Sequence, residues 1–571
     1  MSRLMKAAPL VVLCVLVIAA PPAWANWVQD GTAICTATGT QGGPKVVSDG
    51  AGGAIVTWED HRNGYYGDIY AQRVNASGAV QWATDGVAIC AATGSQYSPT
   101  IVSDGAGGAI VVWNDDRAGY GYGDIYAQRV NASGAVQWAT DGVAICTATG
   151  SQSSLTVVSD GAGGAIIAWV DTRSGLANPD IWAQRVNASG VLQWTHLNFD
   201  SVPLCRAPGY QVDPTIASDG AGGAIVAWED ARTGDDIYAQ RVNASGWVQW
   251  TGEGVPLCTA TGYQSAPTIV SDGAGGAIVT WTDSRSGNNS GIYAQRVNTS
   301  GAVQWATDGV AVCAATGEKQ SPEITFDGAG GAIVTWHDAR SGPYDLYAQR
   351  VNASGAVQWT AEGVVVCGTP VSRDYPWYKQ IISDGAGGAI VTWNDEAEGI
   401  FGDIYAQRVN ASGVVRWTAN GVALCTATGI QDGPAIISDG WGGAIVAWND
   451  DRNAANPDIY AQRVDANGFA LLTATDAPAV PIELQQNYPN PFNPTTTMTY
   501  SVPERCNVVL KIYDVSGKCI ARLVDKEQEK GSYSVAWNGK DETGSSLASG
   551  IYLYRLSAGN QTIAKKMVLL R

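Results

Sequence analysis

One tripeptide, Ser-Asp-Gly, recurs along this chain with its aspartate at Asp49, Asp104, Asp160, Asp219, Asp272, Asp327, Asp384 and Asp439, Phe326 replacing the serine in the sixth copy. The mean spacing is about 56 residues, of the order of the roughly 40 to 50 residues of propeller blades. A unit of that size cannot bury its apolar surface alone and must lie against its neighbours. The eight copies therefore constrain the fold more than any composition does.

Each unit reads as short strands and turns. In the first copy, residues 45–48 enter the turn Asp49-Gly50-Ala51-Gly52-Gly53 and leave as residues 54–58, a hairpin. After a loop that varies between copies, residues 68–74 lead through Asn75-Ala76-Ser77-Gly78 into residues 79–82, a second hairpin, and residues 85–90 link to the next copy. Nothing has helical period. Ala54, Val56 and Trp58 alternate with Ile55 and Thr57, so both faces are mainly apolar and each sheet is expected to be covered on both sides. A single sandwich cannot hold about 450 residues in one core, and solenoid coils carry no paired hairpins. The expected fold is all-β: an eight-bladed β-propeller over residues 26–474, with two smaller rings or an open array as alternatives. The chain opens with Trp27 and residues 30–35, the tail of a unit, whereas the last copy ends at Phe469-Ala470-Leu471-Leu472 without one. Placing the first segment beside the last copy completes a ring.

Arg3 and Lys6 precede an apolar run over residues 7–20, and Ala23-Trp24-Ala25 has the small-x-small pattern of a cleavage site. Residues 1–25 read as a signal peptide, with a mature chain from Asn26 that is secreted or attached to the outer cell surface. The run is too short to span a membrane, and no transmembrane segment is expected. Leu13 stands where a lipid-modified Cys14 wants a small residue, so no lipid anchor is expected. The formal charge is −18 and grows by two negative units when Arg3 and Lys6 are removed. Nucleic acid is excluded as a partner, because phosphate recognition needs clustered positive charge.

Composition shifts at Thr473, and residues 475–486 form a linker containing Pro and Ala. Residues 487–571 carry Asn-Tyr-Pro-Asn-Pro-Phe-Asn-Pro from Asn487, then Ala548-Ser549-Gly550-Ile551-Tyr552, and finally a basic end, Lys565-Lys566-Met567-Val568-Leu569-Leu570-Arg571. This region resembles the C-terminal sorting domain of type IX secretion cargo, which is similar to the Ig-like domain of flagellar hook-capping proteins. The resemblance implies a small Ig-like β-sandwich recognised by the type IX secretion machinery at the outer membrane, then cleaved or attached to the surface. An ordinary Ig-like stalk domain is the alternative.

The repeat offers little chemistry. Asp60 and Arg62 recur as Asp171/Arg173, Asp230/Arg232, Asp283/Arg285 and Asp338/Arg340, and every copy has an Arg after its Tyr-Ala-Gln or Trp-Ala-Gln, such as Arg73 and Arg185. Asp to Arg pairs that fix each blade are expected, since buried charges need partners. A catalytic group needs one special environment, and these sit in near-equivalent ones. The Asp box of sialidase-type propellers is absent, because Asp49 directly follows Ser48 and Trp58 lies nine residues on. His61, His196 and His337 lack ligand spacing, and Cys35, Cys90, Cys146, Cys205, Cys258, Cys313, Cys367 and Cys425 occur singly. No metal, no cofactor and no catalytic residue is assigned. Calcium at the Asp49-type loops is disfavoured, since each offers one carboxylate where six or more oxygens are needed. The eight cysteines are expected to be buried and unpaired.

The copies differ most in the loop after the Trp-x-Asp-x-Arg segment, with Tyr65, Tyr66, Tyr120, Tyr122, Tyr344 and Ile400-Phe401, and in the seventh copy at Tyr375, Trp377 and Tyr378. Exposed aromatics beside Asn and Asp suit a carbohydrate or protein ligand, although drift without function gives the same pattern. Tyr375, Trp377 and Tyr378 are the leading contacts; Tyr65, Tyr66, Tyr120 and Tyr122 are secondary. A non-catalytic binding or adhesion module is the favoured reading. A propeller-type polysaccharide hydrolase or lyase would show one asymmetric carboxylate or His cluster in a central pocket. A structural display scaffold would show none.

Overall fold

In the computed structural model the chain divides between Leu472 and Thr473 into two compact units. The structure describes residues 27–570 except 120–122, 196–199, 288, 343, 369–377, 396–401, 454–455, 471–482, 485–486, 488, 503–505, 515–517, 530 and 559–560. Among the described residues every regular element is a strand.

The first unit consists of repeated four-stranded antiparallel sheets in a propeller-like arrangement. Its first strands are β1 (Thr32–Cys35), β2 (Gln41–Ser48), β3 (Ala54–Asp60), β4 (Asp68–Val74) and β5 (Val87–Cys90). The first complete sheet has the order β2-β3-β4-β5, and six further sheets repeat it. Alternation of Ala, Ile, Val, Thr and Trp buries β3 at every position except Glu59, which is why one strand packs against sheets on both sides. Asp49 closes the β2–β3 turn, its Oδ1 accepting the backbone N–H of Ala51 and of Gly53 at 2.8 Å each.

The fourth strand is not where the sequence suggests. Residues 79–82 make a single bridge, Val74 to Val80, and then leave the sheet, because Trp82 turns outward and donates its Nε1–H to the Ala132 carbonyl of the next copy at 3.1 Å. The segment expected to be a linker supplies the strand instead: β5 pairs with β4 from Ala71↔Val87 to Ile69↔Cys90 across a bulge. Gly86 makes this turn possible. Its φ is +88°, and a Cβ there would stand 2.6 Å from the Trp58 ring and 2.8 Å from the Ala71 carbonyl, a conformation and a clearance that favour glycine.

The last sheet is built from both ends of the unit. Strands Gln431–Ser438, Ala444–Asp450 and Asp458–Val464 are completed by β1, with Thr32 opposite Ala461. Gln462 Nε2 donates to the Val28 carbonyl at 2.7 Å, and the Thr426 amide donates to Asp30 Oδ1 at 3.0 Å. Trp27 plays the role of Trp82, donating Nε1–H to Ala76 at 3.0 Å. The first strands of successive sheets contact one another along the chain, and β2 also packs against Gln431–Ser438.

The second unit holds two sheets, Glu483–Leu484 with Thr496–Val502 and Gly531–Trp537, and Cys519–Gln528, Cys506–Tyr513, Gly550–Ala558 and Gln561–Leu569 in that spatial order. Phe492, Met498, Tyr500, Leu510, Trp537, Tyr554 and Leu569 form its core.

Candidate functional site

The recurring charges are consumed by the fold. Asp60 accepts Trp58 Nε1–H at 2.7 Å, Arg62 Nε–H at 2.8 Å and the Arg62 backbone N–H at 2.9 Å. The Arg62 guanidinium lies over the Tyr70 ring, 3.8 Å from its centroid, and donates to the Asp85 carbonyl at 2.7 Å. Seven copies repeat this pair, from Arg62 and Asp60 to Arg452 and Asp450. Burial pushes the Asp283 and Asp338 carboxyls up, but hydrogen bonds from Arg285 and Trp281, and from Arg340 and Trp336, outweigh it and hold both below the usual range. A second pair, Arg73 with Asp49 at 2.9 Å, recurs in all eight copies. The seventh copy breaks the first pattern, Glu396-Ala397 following Asp395 where the others have Arg. Burial, with the Asp395 charge adding to it, pushes Asp403 there up to about 6.

All eight repeat cysteines are buried and none of them is in a disulfide. Cys35 lies against the Asp60 and Arg62 pair of the neighbouring sheet, with Arg62 Nη2 3.3 Å from its sulfur. Burial pushes the Cys35, Cys90 and Cys425 thiols up to about 12, so they serve packing rather than nucleophilic or metal chemistry. Among the described residues no group of three or more His, Cys, Asp or Glu could hold a metal ion.

The rim of the variable loops carries two overlapping cavities. One, of about 610 Å³, is lined by Glu59, His61, Tyr65, Tyr66, Tyr97 and Asp116 among others. The Tyr65 and Tyr66 rings meet edge to face, centroids 5.5 Å apart, and are 88% and 57% exposed. His61 is fixed between two acceptors, its Nε2 3.0 Å from Glu59 Oε1 and its Nδ1 3.1 Å from the Tyr65 carbonyl. The second cavity, about 740 Å³, is lined by Lys45, Glu59, Tyr97, Thr100 and Asn114 with their neighbours. Glu59, Tyr97 and Ser98 border both, so one groove runs from the loop tyrosines to Lys45 on β2. Such a groove offers aromatic faces for stacking and carboxylate, imidazole and amide groups for hydroxyl hydrogen bonds.

Of the residues expected in the site, Tyr65 and Tyr66 come together here. Tyr378 is exposed at the start of Lys379–Ser383, its backbone N–H donating to Asn394 Oδ1 at 3.1 Å. Tyr375, Trp377, Tyr120 and Tyr122 lie outside the described residues. Glu59, His61, Tyr97 and Asp116 were not among the expected contacts. They sit at positions that vary from copy to copy, His61, Asp116, Thr172 and Ala231 being equivalents at one of them, and two adjacent copies supply them, so no single unit displays the site.

A search of curated proteins finds no relative of this chain. Among solved structures, an ulvan lyase of polysaccharide lyase family PL25 is similar, with 12% identity over 67% of this chain and 97% of that one and a TM-score of 0.41. A protein of unknown function from Dyadobacter fermentans has 12% identity over 76% and 98%, TM-score 0.37. An α-L-arabinanase of Penicillium chrysogenum has 12% identity over 67% and 98%, TM-score 0.35. Residues 493–562 match the FlgD Ig-like domain family.

Proposed function

We propose that this is an exported glycan-binding protein of the cell surface: an eight-bladed β-propeller that binds carbohydrate on its variable-loop rim without chemistry, followed by an Ig-like domain that directs type IX secretion. The groove carries the binding reading. Exposed Tyr65 and Tyr66 beside the Glu59 and His61 pair combine the large, low-entropy contact area of aromatic rings with fixed polar groups, as sugar faces and hydroxyls require. Ring closure is supported by β1 pairing with Asp458–Val464 and by β2 packing against Gln431–Ser438. A second reading, a propeller-type polysaccharide hydrolase or lyase, is favoured by one observation: Lys45, Glu323 and Lys379 break the equivalence of the copies on their first strands. Release of new reducing or unsaturated ends from a polysaccharide by the purified protein would establish it.

The Tyr65→Ala, Tyr66→Ala double variant is expected to lose about 2 kcal/mol or more of binding to its best glycan on an array. Its melting temperature should not move, because both side chains stand in water. Unchanged binding in the folded variant would remove the rim site.

The sorting reading rests on the basic end and the Asn-Tyr-Pro-Asn-Pro-Phe-Asn-Pro run, with the Ig-like match over residues 493–562 as support for the domain type. A chain ended after Gln486 is expected to cross the inner membrane and stay in the periplasm. Surface display of the shortened chain, detected by antibody on intact cells, would reject the sorting role.

A further inference from the structure

We propose that the rim groove takes an extended segment of a linear glycan chain rather than a single sugar, with Tyr97 as the platform at its middle and Leu155 at its far end. The inference rests on the carbohydrate reading above and adds chain length to it.

The two cavities cross three successive copies. The one that holds Tyr65 and Tyr66 lies between the first copy and the second. The other begins at Gly43 in the first copy, passes Tyr97 and Thr100 in the second, and ends at Ser154 and Leu155 in the third. The first strands of these copies, β2, Gln96–Ser103 and Gln152–Ser159, touch one another in that order. Volumes of about 610 and 740 Å³ both fall in the range of about 300 to 1,000 Å³ that encloses a drug-sized ligand, roughly two or three sugar rings. Glu59, Tyr97 and Ser98 border both, so a chain that fills one cavity continues into the other.

Along this path the repeat is broken by apolar side chains. Tyr97 is the second residue of its strand, opposite Asn114. Its equivalents in register are Gly42, Ser153, Val212, Ser265, Gln320 and Asp432, and none of these is aromatic. The Tyr97 ring is half-buried, and its hydroxyl end lies against Gly123, where a Cβ would stand 2.7 Å from the oxygen. The Gly123 carbonyl in turn accepts the backbone N–H of Gln152 in the third copy at 2.9 Å. The ring therefore reaches from the second copy to the border of the third, where the two cavities share their wall. Leu155, half-buried at the far end, occupies a position that is Pro in six other copies, from Pro44 to Pro434. Tyr65 and Tyr66, then Tyr97, then Leu155 thus offer three successive apolar surfaces for sugar faces, while Glu59, Ser98 and Ser154 between them offer hydroxyl partners. A single sugar would leave most of this line unused.

Titration calorimetry of the full mature chain tests this with laminari-, xylo- and manno-oligosaccharides, each from the disaccharide to the hexasaccharide. In at least one series the hexasaccharide is expected to bind about tenfold more tightly than the disaccharide, the gain of one added aromatic contact, and the gain should level off once the groove is full. Two variants locate it. Tyr97→Ser and Leu155→Pro each install a residue that the repeat itself carries at that position, so neither should unfold the sheet, and a melting curve checks this. Tyr97→Ser should abolish the gain with length. Leu155→Pro should reduce it about threefold and leave the disaccharide, held at the tyrosine end, within about twofold. Equal affinity for disaccharide and hexasaccharide, or an undiminished gain with length in folded Tyr97→Ser, overturns the inference. If the Tyr65→Ala, Tyr66→Ala variant loses binding in that case, the rim reading stands with a site for a short ligand. If no series binds, both readings fall.

Discussion

Trp58→Ala is expected to destabilise the repeat unit by about 3 to 5 kcal/mol, the cost of leaving a cavity where a buried large aromatic stood. The ring is fully buried, its Nε1–H is bonded to Asp60 at 2.7 Å, and its edge fills the space that Gly86 leaves open. Truncation therefore loses apolar contact and removes one donor from a buried carboxylate, each of which is destabilising. Trp247→Ala is the control: that side chain is 51% exposed in a turn of another copy, and its loss should cost less than about 0.5 kcal/mol, as surface changes do. Urea denaturation followed by tryptophan fluorescence gives both midpoints. A Trp58→Ala shift no larger than that of Trp247→Ala would contradict the buried Trp, Asp and Arg lattice as the element that holds adjacent sheets together. Because Cys35 of the last sheet touches Asp60 and Arg62 of the first, the damage should extend beyond one copy.

The repeat made much of this legible before any coordinates. The Ser-Asp-Gly period located the copies, Asp49 announced its turn, and Asp60 with Arg62 announced a pair. The fourth strand was misread because residues 79–82 and residues 87–90 both alternate, and local pattern cannot say which of them stays in the ladder. The choice is tertiary: Trp82 finds its partner at Ala132, a full copy away, and Asp85 and Gly86 take the positive φ values, 58° and 88°, that return the chain to β4. The site was half legible for the same reason. Tyr65 and Tyr66 stood out because they break the repeat within one loop. Glu59, Tyr97 and Asp116 come from two copies, and their meeting depends on how sheets abut.

Deleting residues 27–35 should have the largest effect of all. The segment buries Trp27, Ile34 and Cys35 to within 4% of complete coverage, worth about 1.5 to 3 kcal/mol for each large apolar side chain. It also removes the β1 ladder, the Gln462 to Val28 and Thr426 to Asp30 hydrogen bonds, and the Trp27 to Ala76 bond that ties the last sheet to the first copy. The summed loss is on the order of 5 kcal/mol or more. That is comparable to the whole stability of many domains. What remains is a three-stranded sheet whose Asp458–Val464 strand presents an unpaired edge, and exposed edges recruit other chains. The shortened protein, still carrying its first 26 residues for export, should be recovered as aggregates or as an early-melting species by size-exclusion chromatography and calorimetry. A synthetic peptide of residues 27–40 added during refolding should restore a monomeric, late-melting form by pairing with that edge. A monomer that melts with the full-length protein in the absence of peptide would mean that the sheets do not depend on the N-terminal strand, and the closed ring would have to be given up in favour of an open array.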